Sequence, residues 1–433
     1  MMHVTVLGVG AAGVKAAITA MEHGIVDRDH TKLLNTTVRD LPEKYNNEPG
    51  LYVQFSSILG GAGKESAKGM AAAIDAIKSH ELDLASLINA DSQEVILVSS
   101  VEGGTGSGSV PVLAQYYDAM NIPVHVFAFI GFQDEARGMN NTLRFFKNLP
   151  SKVVLHTIRN SYFLDYTKNY SIAEQAANEE FAMELEILRG SKIIPSDQNI
   201  DDTDLYKMNT TSGYMTINHI PLGGIKNVDG FNAAIASAFE DSCYMDCDHT
   251  VKRLAVLINA SKDIQKVIDN KFEAVKRYIG VPFEIFQHIQ YDDGDEYIDV
   301  MASGLNFPER AIKDVSDKYT KIKDKLNKGL KTFDDIFTSI EIDDDEDEFN
   351  MDVRQAVDPA TVDALFGAQS IKDIARAANR VKQSKEHTIN PVESPLESKP
   401  EEPKQEQVKK KEDMKYAITK NVKTVSKETE DEY

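Results

Sequence analysis

In the first third of the chain, short apolar runs at residues 4–7, 95–100 and 124–130 alternate with helical patterns, and each run is followed by a glycine-containing turn. That alternation predicts an α/β fold, a parallel sheet wrapped by helices. Ser171 with Glu174 three residues later forms a capping box, and the apolar-rich stretch that follows stops at Leu188, ahead of Arg189-Gly190. A helix of about 18 residues, roughly 27 Å long, is expected there. Ile172, Ala176, Ala177, Phe181, Leu185 and Leu188 cover a broad face of it, which predicts burial between two subdomains.

Shorter strand-like runs follow at 214–220, 253–258, 283–289 and 297–302, with a helix expected around 230–246, so a second α+β domain comes next. Residues 308–340 read as a long charged amphipathic helix, the acidic run 343–348 as a solvated linker, and 358–381 as further helix. From about residue 383 the apolar periodicity is lost and Pro391, Pro395, Pro400 and Pro403 accumulate, the pattern of a disordered tail. The expected divisions are therefore 1–170, the connecting helix 171–190, the second domain 191–305, a helical extension 306–382 and a tail 383–433.

Composition narrows the class. A chain of 433 residues with 42% hydrophobic and 27% charged residues has length for two or three domains and is not globally disordered. The longest nearly apolar run, residues 4–14, falls far short of the roughly 20 residues a membrane span requires, and the first residues lack a secretory pattern, so a cytoplasmic location is expected. Cys243 and Cys247 are the two cysteines and rule out a disulfide framework. With only His249 nearby they do not complete a zinc site, and they are expected as reduced, partly buried thiols on a helix. A net charge of −21 opposes direct binding of the folded body to DNA or to an anionic membrane. Residues 404–427 invert that sign locally, with eight lysines against three acids, a net of +5. Two readings stay open for this segment: a solubilising tail, or a basic tether for an acidic surface or a DNA-bound partner.

Three glycine loops carry the candidate chemistry. Gly8-Val9-Gly10-Ala11-Ala12-Gly13 follows a strand and opens a helix, where backbone amides can cradle phosphates. The second strand ends in Asn35-Thr36-Thr37 without the acid that holds a dinucleotide ribose, which disfavours a nicotinamide enzyme. Gly60-Gly61-Ala62-Gly63-Lys64 fails the Walker pattern, because Glu65 and Ile58 stand where a hydroxyl residue and a glycine are needed. It remains a loop with backbone donors and one cation. The third loop, Ser99 to Ser109 around Gly103-Gly104-Thr105-Gly106-Ser107-Gly108, lies between a buried strand and a helix and brings amides and two hydroxyls within reach of phosphate oxygens.

This third loop resembles the signature loop of the tubulin and FtsZ GTPases, and Asn35-Thr36, the Gly60 to Lys64 loop, Asn160, Ala177-Asn178 and the segment 199–205 match that family in the same chain order over roughly residues 1–305. Within the family the chain most resembles the plasmid- and phage-borne TubZ branch, through Glu102-Gly103-Gly104, the helical extension and the basic tail. The resemblance implies that GTP or GDP with Mg²⁺ is held by Gly10, Ala11, Ala12, Asn35, Gly61, Ala62, Gly63, Lys64, Gly103, Gly104, Thr105, Gly106 and Ser107. It also implies that Asn160 and Asn178 read guanine, that Glu135 contacts ribose, and that Asp201 and Asp204 are catalytic. Glu102 departs from the pattern by replacing the first of three glycines, and must point away from the phosphates or sit near a metal ion.

The expected helix separates the nucleotide end from Asp201, so those acids should act on the pocket of the next subunit in a head-to-tail filament. The resemblance implies GTP hydrolysis activated by assembly and segregation of plasmid or phage DNA through a DNA-bound adaptor on residues 404–433. The alternative is an FtsZ-type division GTPase, whose apolar C-terminal adaptor peptide is not seen in Ser426 to Tyr433.

Overall fold

The apolar runs of the first third become strands buried along their whole length, as strands covered by helices on both faces must be; Val4–Val9 and Val124–Ile130 have no exposed position. The computed structural model describes residues 2–334 apart from 46, 47, 49, 57–60, 197, 198, 246–249 and 293. Its elements in chain order are β1 (Val4–Val9), α1 (Gly10–Glu22), β2 (Thr31–Asn35), β3 (Tyr52–Gln54), α2 (Ser66–Lys78), β4 (Glu94–Ser100), α3 (Thr105–Ala119), β5 (Val124–Ile130), α4 (Ala136–Asn148), β6 (Val154–Arg159), α5 (Asn160–Thr167) and α6 (Tyr170–Leu188). They continue as α7 (Asp202–Asn209), β7 (Gly213–Pro221), α8 (Val228–Glu240), β8 (Arg253–Asn259), α9 (Lys262–Val267), α10 (Lys271–Ile279), β9 (Glu284–Gln290), β10 (Tyr297–Leu305) and α11 (Glu309–Asp334). The acidic run 343–348, the helix expected at 358–381 and the basic segment 404–427 lie outside the described residues.

All ten of these strands form one sheet in the order β3-β2-β1-β4-β5-β6-β7-β10-β8-β9. Pairing is parallel from β3 through β7, then antiparallel on both sides of β10, and parallel again between β8 and β9. The seam between the two halves is thin: β6 and β7 pair only through Val154 with Gly213 and Leu155 with Tyr214. Side chains of α6 therefore carry much of the packing beneath the parallel half, with Phe181 edge-on to Phe127 at 4.9 Å.

α6 begins earlier than the capping box suggested. Its N-cap is Asn169, whose Oδ1 accepts the Ile172 N–H at 3.1 Å, so Ser171 lies inside the first turn. The buried face is as broad as expected but shifted: Ile172 is 52% exposed, while Ala173, Ala177, Phe181, Ala182, Leu185, Ile187 and Leu188 are buried. At one end of α6 Tyr170 packs against Phe132 beyond β5. At the other, Arg189 exchanges hydrogen bonds with Met2 before β1. The helix thus crosses the parallel sheet from the carboxyl ends of the strands to their amino ends, about 28 Å at 1.5 Å per residue.

The helix expected to run to residue 246 stops at Glu240, because the following backbone is drawn onto the end of β6. The Cys243 carbonyl accepts the Arg159 N–H, and the Met245 N–H donates to Thr157 Oγ1. Cys243 is thus beyond the helix rather than on it, and Cys247 lies outside the described residues. α11 packs along α4, with Lys318 Nζ donating to Gln133 Oε1 at 3.3 Å.

Candidate active site

The glycine loops converge at the carboxyl ends of β1, β2, β4, β5 and β6, where an open parallel sheet places its ligands. Gly10 opens α1 with φ of +72°, and a methyl group on it would lie 3.1 Å from the Gly106 amide nitrogen. Gly104 meets the second loop just as closely: a methyl there would stand 2.7 Å from the Glu65 amide nitrogen and 3.0 Å from Ala62 Cβ. The loop after β2 joins through Thr36 Oγ1, which shares a 2.8 Å hydrogen bond with Thr105 Oγ1.

Asn35 is buried and its amide is used locally, donating to Asp40 Oδ2 at 3.0 Å and accepting the Thr36 N–H at 2.8 Å. It shapes the loop that presents Thr36. Ser107 Oγ donates to the Gly103 carbonyl, which closes the first turn of α3. Gly61, Ala62, Gly63 and Lys64 bring backbone amides to the same edge, and Lys64 itself adopts a left-handed φ of +63°. Its Nζ lies 2.8 Å from Glu135 Oε1, so the expected phosphate cation and the expected ribose contact face each other as an exposed ion pair.

Asn160 is the first residue of α5, directly after β6, and its buried Oδ1 has no hydrogen-bond partner. A buried acceptor left open in this way is costly unless a donor arrives from outside the chain. Asn178 is buried in α6, which packs against α5.

Glu102 turns to the loop after β5. Its Oε1 accepts the Gln133 N–H at 3.2 Å and the carboxylate packs against the backbone of Gly131 and Gly138. Burial pushes its pKa up to about 7, and the nearby Asp134 and Glu135 add to the rise while the Gln133 N–H and Lys64 oppose it.

A residue outside the sequence expectations ties the pocket together. Asn141, buried on α4, donates Nδ2 to the carbonyls of Lys64 (2.9 Å), Glu102 (2.9 Å) and Gly103 (3.3 Å), clamping the second and third glycine loops to one helix. The signal available was an amide on a helix face shared with Gly138, Thr142 and Phe145, where a polar group must find buried partners.

The two acids lie at the opposite edge of the sheet. Asp201 is the N-cap of α7, its Oδ1 accepting the Asp204 N–H at 2.8 Å, and Asp204 lies 3.5 Å from Lys207 Nζ. α7 is anchored by buried Asn209, whose Nδ2 donates to the Leu188 carbonyl at 3.1 Å and reaches Glu94 Oε2 at 3.5 Å, at the amino ends of β1 and β4. The structure therefore gathers the loop residues and Asn160 at one pole and Asp201 with Asp204 at the other.

Residues 3–167 match the sequence model of the Tubulin/FtsZ family, GTPase domain. Cell division protein FtsZ of Aquifex aeolicus (strain VF5) is 24% identical over 326 residues, covering 74% of this chain and 87% of that protein. Among solved structures, a GTPγS-bound protofilament of CetZ2 from Haloferax volcanii superposes with a TM-score of 0.62 at 18% identity, covering 75% of this chain and 100% of that one. TubZ of Clostridium botulinum phage c-st gives 0.58 at 16% identity, with 75% and 98% covered. A GTPγS-form protofilament of TubZ from Bacillus thuringiensis serovar israelensis gives 0.61 at 13% identity, with 76% and 94% covered. At these identities the likeness shows a shared fold. None of the described helices is long and apolar enough to cross a membrane.

Proposed function

We propose that this chain, whose residues 3–167 match the GTPase domain of the Tubulin/FtsZ family, is a member of that superfamily that polymerises head to tail and hydrolyses GTP at the junction between subunits. The observation that carries this reading is the separation of the two poles by the length of α6. Asp201 and Asp204 are too far from their own glycine loops to act there, but stacking subunits along that axis would bring them to the loops of a neighbour. Such a contact is heterologous and extends into an open filament unless the rotation closes a ring.

At the pocket, the amides of the glycine loops and the hydroxyls of Thr36, Thr105 and Ser107 would hold the phosphates, and Lys64 would leave Glu135 for the terminal phosphate. The open Asn160 acceptor suits the donor edge of guanine, and Asn178, on the helix that packs against α5, would be the second reader. The neighbour's Asp201 and Asp204 would orient the attacking water. Among the described carboxylates near the loops, Glu102, Glu135, Glu65 and Asp40 are engaged with Gln133, Lys64, Lys68 and Asn35. Mg²⁺ fits there on phosphate oxygens, waters and loop hydroxyls, its ordinary ligands beside a nucleotide, and would supply charge neutralisation.

Cytoplasmic filaments of this kind could move plasmid or phage DNA, with residues 404–433 engaging a DNA-bound adaptor; the +5 segment and the resemblance to TubZ support that reading. A division role is the second reading, favoured by the Aquifex relative. Phosphate release from GTP and light scattering should be followed together across protein concentrations. One shared threshold is expected. Turnover that stays linear to dilute protein, with no scattering, would refute the shared site. Removing residues 404–433 should leave polymerisation intact and abolish binding to a DNA-bound adaptor; retained binding removes the tether.

A further inference from the structure

A second cluster of ionisable groups lies under the middle of α6, away from the glycine loops. Glu180 and Glu184 are four residues apart and so share one face of that helix. Cys243 reaches the same place from the segment after α8. Its Sγ is 3.9 Å from Glu180 Oε1, and one ligand atom from each of the three residues lies within 4.8 Å of the other two. His156 of β6 stands on the far side, with Nδ1 3.9 Å from Glu184 Oε2. Glu184, His156 and Cys243 are buried at 0, 0 and 4% exposure.

The hydrogen bonds around this cluster leave it short of donors. Glu94 Oε2 takes a hydrogen bond from Asn209 Nδ2 and lies 3.1 Å from His125 Nε2, and in the tautomer that donates to this carboxyl the proton of His125 is on Nε2. His125 Nδ1 then accepts from His156 Nε2 at 3.0 Å, which leaves a lone pair on His156 Nδ1. That atom has no hydrogen-bond partner, and neither does either oxygen of Glu184. The neighbouring Tyr244 hydroxyl is engaged with the Ile217 carbonyl. Apart from the Cys243 S–H directed at Glu180 Oε1, two carboxyl groups and an imidazole nitrogen face one another here with Glu184 and His156 Nδ1 unpartnered, an arrangement that a bound cation would relieve.

We propose that Glu180, Glu184, Cys243 and His156 bind one divalent transition-metal ion of the zinc class, which fastens α6 to β6 and to the segment after α8. Thiolate and imidazole ligands favour such ions over Mg²⁺ or Ca²⁺. Tetrahedral Zn–N and Zn–S bonds put ligand atoms roughly 3.3–3.8 Å apart; Glu180, Glu184 and Cys243 already lie within 4.8 Å of one another, and His156, 3.9 Å from Glu184 Oε2, would close in on the ion from the β6 side. The Glu94–His125–His156 chain is the carboxylate-backed histidine that commonly supports a metal ligand, here through a second imidazole. The cysteine spacing pointed to free thiols because the other ligands are dozens of residues away in sequence.

Untagged full-length protein, purified without chelator from zinc-supplied cells, should carry one zinc per chain by mass spectrometry. After metal removal, Co²⁺ should produce a near-ultraviolet thiolate-to-metal band. Cys243→Ser should abolish the band, and Glu180→Gln, the least buried position of the set, should weaken Co²⁺ binding by about tenfold or more. Cys247→Ala should keep the band, as should His30→Ala, which disables the exposed His3, His30 and Asp91 group. Circular dichroism checks that each variant folds, and the wild-type measurements stand whether or not Cys243→Ser does. No zinc above background and no Co²⁺ band in the wild type would overturn the site, as would a band that survives Cys243→Ser.

Discussion

The glycine-loop pole and the acid-loop pole hold their polar groups in opposite ways. At the first, partners come from far apart in the chain: Thr36 meets Thr105, Asn141 spans to Lys64 and Glu102, and Lys64 meets Glu135. A buried acceptor on Asn160 is left over, and Glu102 is held near neutrality. At the second, Asp201 is satisfied by its own helix within three residues and is exposed. One pole is incomplete without a ligand. The other is at rest and has a charge to lend, which is the asymmetry a head-to-tail assembly would use.

The most damaging way to break this contrast is at the packing that builds the first pole. A methyl on Gly13 would lie 2.0 Å from the Val98 carbonyl oxygen, so Gly13→Ala must push α1 away from the sheet. A loss of about 3 kcal/mol or more is expected by urea unfolding. A change under 1 kcal/mol would show that the loop is not held that tightly.

Asp201→Asn tests the second pole next. Asparagine caps helices as well as aspartate does, so stability should hold within about 0.5 kcal/mol while GTP turnover falls on the order of 100-fold at unchanged nucleotide affinity. Wild-type turnover would leave Asp201 as a cap alone.

Glu102 sharpens the comparison through pH. A carboxyl whose pKa is raised by folding binds its proton more tightly in the native state. Its contribution is therefore fully present below about pH 4.5 and is lost as pH rises through about 7. Glu102→Gln should remove that decline and exceed the wild type by about 2 kcal/mol at pH 8, with the difference closing towards pH 4. A constant offset in thermal unfolding across that range would contradict the assignment.

The smallest effect is expected from Asn141→Ala. Loss of the clamp should cost about 1–2 kcal/mol and weaken GTP binding by about tenfold through loosened loops, leaving pelleting at saturating GTP unchanged. Isothermal titration distinguishes this from direct loss of a nucleotide contact, because Asn141 bonds only to protein carbonyls.

Much of this was legible before any coordinates. The buried strands, the three glycine loops and α6 follow from local pattern, because strand burial, glycine turns and helix periodicity are set by residues close in sequence, whereas the acids of residues 199–205 came from the family resemblance alone. The end of α8 was misplaced, since its backbone is captured by Arg159 and Thr157, more than 80 residues earlier. The capping box was set aside because Asn169 offers an acceptor two residues sooner.

Sequence alone determined the parallel sheet, the glycine loops and the length of α6, each a product of short-range periodicity and backbone sterics. Tertiary structure alone decided where Glu102 points, that Asn141 clamps two loops, and that Glu180, Glu184, Cys243 and His156 share one dry space. These depend on which groups must find partners once water is excluded, and residues far apart in the chain supply them.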